Sequence, residues 1–223
     1  MTLPKLLTKG TERQITEDWQ QEIPNLGIYT ARRLLKRVGP LLVGICLERD
    51  SSGNKYKPMF HVHCLGAEAP AVFLTLFTQL RSARSGGPDF IQVRFHEEKY
   101  KEAAARMVRQ SLLPLDGDLS LDQVIKAYQT YLSSPLGRAY PVSLYRDIII
   151  LSAWGGRQAE AMKFLTECLQ VGDDTDFQNM GGRSAFEAEC RKLIENPALI
   201  QQTVDSQIAA LGVGNLPVSN LLR

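Results

Sequence analysis

Histidine is scarce in this 223-residue chain, with three residues, His61, His63 and His96. Cysteine is limited to Cys46, Cys64, Cys168 and Cys190, with no CxxC pair and no zinc spacing. Each stands where a small apolar residue would serve, so all four read as reduced structural thiols. No apolar run approaches the roughly 20 residues of a membrane helix. The opening Met1–Gly10 has no apolar core of roughly 7–15 residues, so it does not read as a secretory leader. The expectation is a cytoplasmic protein with no membrane partner.

Phosphate-binding loops are missing too. The pairs Gly86-Gly87, Gly155-Gly156 and Gly181-Gly182 fit neither GxxxxGK[ST] nor GxGxxG, and read as loop punctuation. Asp174 opens a stretch like a calcium loop, but Asn179 and Ala185 stand where glycine and glutamate are required. Ser184 is followed by Ala185-Phe186 and so fails the GxSxG elbow, and the second half has no histidine to act as its base. No segment recurs as a repeat.

What is present suits a globular chain. Hydrophobic residues make up 44% and charged residues 22%, which excludes a disordered class. A chain of this length buries about 70% of its unfolded surface and needs no metal or disulfide to fold. The net charge of +2 hides an asymmetry. Residues 1–115 hold 17 Lys and Arg against 11 Asp and Glu, whereas residues 116–223 hold 9 against 13. The basic half is too mildly charged for a dedicated nucleic-acid binder.

Local patterns predict a helix over 11–22 anchored by Trp19. Residues 29–38 fit helix or strand. Strands are expected over 41–48 and 56–65, joined by the turn-rich Arg49–Lys55. A proline-started helix is expected over 70–83, a third strand over 90–95 and a helix over 97–112. After the turn-rich Pro114–Asp118 every segment reads helical: 121–133, 143–154, 158–170, 184–196 and 198–211. The segment 143–154, apolar all round through Ile148-Ile149-Ile150-Leu151, should be a buried helix. The tail from Gly212 reads as a loosely packed strap. The fold class is therefore α+β: a small antiparallel sheet flanked by helices, then an all-helical C-terminal half. The expected division is 1–115 and 116–223, with one core open to both.

Strand alternation places His61 and His63 on one face of their strand. A three-stranded sheet covered on one side would collect His61, His63, Arg94, His96 and Glu48 on its other, solvated face. Three imidazoles could hold zinc with water in the fourth position, which makes a metal-assisted hydrolase the alternative function, with zinc as its cofactor. Cys64 follows His63 but points to the opposite face, which argues against a thiolate–imidazole pair. The second cluster is Arg32, Arg33, Lys36 and Arg37, four cations in six residues, suited to an acidic partner. The leading expectation is a non-catalytic interaction protein of bacterial type, such as a toxin-neutralising or adaptor protein, with no cofactor. It would bind a protein partner through Arg32, Arg33, Lys36, Arg37, Glu48, His61, His63 and Arg94.

Overall fold

Thr8 accepts the Thr11 N–H at 3.3 Å, and so caps α1 (Lys9–Glu22). The computed structural model describes residues 6–223. Ile15, Thr16 and Trp19 give α1 its buried face, with Trp19 fully enclosed.

Residues 29–38 resolve as strand. β1 (Gly27–Thr30) turns through Ala31-Arg32 into β2 (Arg33–Val38). Arg32 takes a left-handed φ of 75°, and its N–H is held by the Thr16 hydroxyl at 2.8 Å. β3 (Leu41–Arg49) and β4 (Lys55–Cys64) form the expected hairpin, with Leu41 opposite Cys64 and Arg49 opposite Tyr56. The five main strands run as an antiparallel meander, β1-β2-β3-β4-β5.

Two expectations for the sheet half fail. The helix predicted over 70–83 is instead a loop and the short β5 (Leu76–Gln79), which pairs with β4 from Val62–Leu76 to Met59–Gln79. Its Val-Phe-Leu-Thr-Leu-Phe-Thr run is rich in β-branched and aromatic residues, and the open edge of β4 offers it a ladder. The strand predicted over 90–95 shrinks to β6 (Ile91–Gln92), followed by one 3-10 turn. α2 then runs over His96–Gln110 with Glu97 and Glu98 in its first turn, where the helix dipole favours them.

The helical half follows the prediction closely. β7 (Leu119–Ser120) leads into α3 (Leu121–Leu132), which opens with a capping box between Ser120 and Gln123. The added short α4 (Pro135–Ala139) precedes α5 (Pro141–Trp154), α6 (Gln158–Val171), α7 (Arg183–Glu195) and α8 (Ala198–Ala210). Residues Asp147 to Ala153 of α5 are all buried, and α5 packs against α3, α6, α7 and α8. One cluster of buried side chains runs from Leu34 and Val43 of the sheet to Ile149, Phe164 and Cys190 of the helices. A Cβ at Gly66 would overlap Ile150, so the end of β4 lies directly on α5.

The tail is not loose. β8 (Val218–Ser219) pairs in parallel with β2, and β9 (Leu221–Leu222) pairs in parallel with β7. The Asp118 carboxylate accepts both the backbone and side-chain N–H groups of Asn220. The tail contributes main-chain partners that its weak hydrophobic pattern does not advertise.

Candidate functional site

The sheet face bearing the histidines is not solvated. His61 is fully buried, and His63 is nearly so. Residues directly opposite in register share a face, so His61 stands between Gly44 of β3 and Phe77 of β5. The loop over 66–75 is tied down on this face by two hydrogen bonds. Arg33 Nη1 donates to the Val72 carbonyl at 3.0 Å, and the Phe73 N–H donates to His63 Nδ1 at 3.3 Å. That second bond puts the proton of a neutral His63 on Nε2. Neither ring nitrogen of His61, nor His63 Nε2, has a hydrogen-bond partner among the described residues. Burial, reinforced by the Arg33 cation, pushes the His61 pKa down to about 3 and that of His63 to about 4.

The three histidines do not meet. His96 opens α2 beside Tyr56, on the other face of β4, and Tyr56 is five positions from His61, a rise of roughly 16 Å. Among the described residues, no group of three His, Cys, Asp or Glu is placed to hold a metal ion. The three-histidine zinc site is thus corrected.

His96 belongs to a buried chain instead. The Trp19 indole N–H donates to Tyr56 Oη at 3.1 Å, Tyr56 donates to His96 Nδ1 at 2.8 Å, and His96 Nε2–H donates to Asp18 Oδ2 at 2.9 Å. These directions are those of the neutral imidazole with its proton on Nε2, the tautomer that satisfies both neighbours. This chain fastens α1, β4 and α2 together. Tyr56→Phe should therefore cost about 2–4 kcal/mol, because it orphans both Trp19 Nε1 and His96 Nδ1. Urea unfolding at neutral pH checks this, and a loss below about 0.5 kcal/mol, as at an unconstrained surface position, would refute the fastening role.

The basic segment splits across the sheet. Lys36 points into the core, where Nζ donates to the Gly117 carbonyl at 2.9 Å and lies 3.4 Å from Ser219 Oγ. Burial lowers its pKa, while Asp116 and Asp118 oppose the shift. Arg32 pairs with Glu12 at 3.4 Å, Arg33 holds Val72, and Arg37 Nη2 donates to the Gly214 carbonyl at 3.3 Å. Each of the four cations thus has an acceptor within the chain, and Lys36 is the buried one. Glu48 and Arg94 are exposed but apart from the buried histidines. Glu48 pairs with Lys57 at 2.7 Å, and Arg94 donates to Gln92 and lies over the Phe95 ring.

A different site emerges where the loop over 66–75 faces α3, α4 and α5. A cavity of about 440 Å³ lies there, with His63, Phe77, Tyr131, Ser143 and Asp147 in its walls. Three large apolar side chains on its border are conspicuously exposed: Phe73 at 53%, Leu136 at 52% and Tyr140 at 71%. Asp147 is buried, and Tyr128 Oη donates to its Oδ2 at 2.9 Å. Burial raises its pKa to about 7, against the pull of the Tyr128 hydrogen bond and the Arg146 charge. Arg146 itself is held by Glu189 at 3.0 Å. The Cys64 thiol, also in the wall, is pushed well up by burial, with the Asp147 charge adding to the shift. It is protonated at neutral pH and is no nucleophile. All four cysteines are free and buried.

Sequence reasoning missed this site. Its signal was Asp147, an acid immediately before four large apolar residues in a helix apolar all round. The exposed aromatics come from segments far apart in sequence and gave no local pattern. No protein-family model, curated protein or solved structure matches the chain.

Proposed function

We propose that the protein is a non-catalytic interaction protein that docks a protein partner at the cleft between the loop over 66–75 and α3–α5. The observation that carries this reading is the convergence of exposed Phe73, Leu136 and Tyr140 on the border of one cavity. A patch of large apolar side chains around a concave centre is the arrangement in which partner side chains are buried and contribute most. The adaptor or toxin-neutralising role is one form such docking takes. Of the residues first expected to meet a partner, only His63 lines this cleft.

Site-specific photo-crosslinking in the native host tests this. A p-benzoylphenylalanine at position 140 should give a discrete adduct that Phe73→Asp abolishes. The same group at exposed Val218, on β8, which pairs with β2 and is separated from β5 by β3 and β4 in the sheet, should not give it. No adduct from position 140, or the same adduct from both positions, would reject the cleft as the docking face.

A further inference from the structure

The walls of the cleft have a composition that selects a type of side chain. Four aromatic rings border it, those of Phe73, Phe77, Tyr131 and Tyr140. Phe77 and Tyr131 lie with ring centroids 6.1 Å apart. Two carboxylates share the lining, Asp147 at depth and exposed Glu68. The one basic side chain in the lining that carries a fixed charge, Arg146, is drawn to Glu189, with which it pairs at 3.0 Å. Aromatic faces and a carboxylate both attract an organic cation, and the attraction strengthens where water is displaced.

We infer that this cleft takes an alkylammonium group, presented by a lysine side chain of the docked partner. The inference rests on the docking reading and names the anchor. Lysine's methylenes would pack on Phe73, Phe77 and Tyr131, and its ammonium would meet Asp147. Lysine fits better than arginine because one Asp147 oxygen is already engaged by Tyr128. A guanidinium fork gains most from two carboxylate oxygens, whereas an ammonium acts as a point charge and needs only one. Glu68 at the rim adds attraction for the approaching cation.

The test compares two capped amino acids that differ in the charged tip. N-acetyl-lysine methylamide and N-acetyl-norleucine methylamide are titrated at neutral pH and followed by NMR shifts of the cleft residues. The lysine compound should bind at least about tenfold more tightly, within the range of a partly desolvated cation–aromatic and carboxylate contact. Asp147→Asn should bring the two affinities together, because an amide oxygen still accepts from Tyr128 but carries no charge. Tyr140→Leu, at an exposed position, should weaken lysine more than norleucine. Equal affinities in the native protein, or a preference for lysine that survives Asp147→Asn, would overturn the inference. The crosslink at position 140 does not depend on an ammonium. A discrete adduct combined with equal affinities therefore rejects the lysine anchor and leaves the docking face standing.

Discussion

Acidification from pH 7.5 to 4.5 is expected to cost the folded protein a net of about 2 kcal/mol, the difference between two opposing titrations. Unfolded His61 and His63 take up protons below about pH 6.5, whereas the folded chain refuses them until about pH 3 and 4. Their stabilising effect is complete above the unfolded pKa and is lost as pH falls, about 5 kcal/mol for the two by pH 4.5. Asp147 works the other way. Its folded pKa of about 7 lies above the unfolded value near 3.8, so the folded state binds a proton that the unfolded state does not. That contribution is present at low pH and lost as pH rises towards 7, so acidification returns about 3 kcal/mol. Asp147→Asn removes the return and should steepen the total loss to about 5 kcal/mol, while His61→Leu should abolish the net loss. Urea unfolding of the three proteins at pH 7.5, 6.0 and 4.5 reads these slopes. Equal slopes for the native protein and Asp147→Asn would show that Asp147 does not gain its proton in this interval.

Gly44→Ala should be among the most damaging conservative changes in the sheet, costing at least about 3 kcal/mol by the mechanism of overpacking against an unyielding neighbour. A Cβ there would collide with the Leu34 carbonyl and lie 2.9 Å from the Leu35 Cα. Both belong to the backbone of β2, which is held at these residues between β1 and β3. No rotamer change relieves the clash, so the ladder must part. The His61 ring, which faces Gly44 across the ladder, would be displaced with it. Comparison with Gly87→Ala, where an added Cβ meets only the Ser85 hydroxyl at 3.6 Å, controls for the loss of glycine flexibility. A difference below about 1 kcal/mol between the two would contradict the close approach.

The fold class was legible because the signals were local. The turn residues over 49–55 marked the β3–β4 hairpin, and the turn-rich Pro114–Asp118 with the apolar run of α5 marked the helical half. The sheet's burial was not legible. Alternation told that His61 and His63 share a face, which is correct, but a lone sequence does not say what lies over that face. The answer came from the loop over 66–75, mistaken for a helix because its Pro70 start and apolar spacing masked its strand-forming residues. The same error hid the cleft, whose outer wall is that loop. For Lys36 the misreading was one of composition: four cations in six residues resemble a surface cluster, yet alternation in β2 sends one of them inward to the Gly117 carbonyl, 81 residues away.

The parallel pairing of β8 with β2 also bears on the order of assembly. Lys36 and Ser219, in contact across this junction, lie 183 residues apart in sequence. Such a contact closes a very long loop and contributes little until most other structure is in place. During synthesis, β2 and the buried Lys36 must therefore wait for nearly the whole helical half to emerge before their last partner arrives. The meander therefore stays open along the Arg37–Val38 part of β2 until residues 218–219 emerge, and in that interval the unpaired edge is exposed to mispairing.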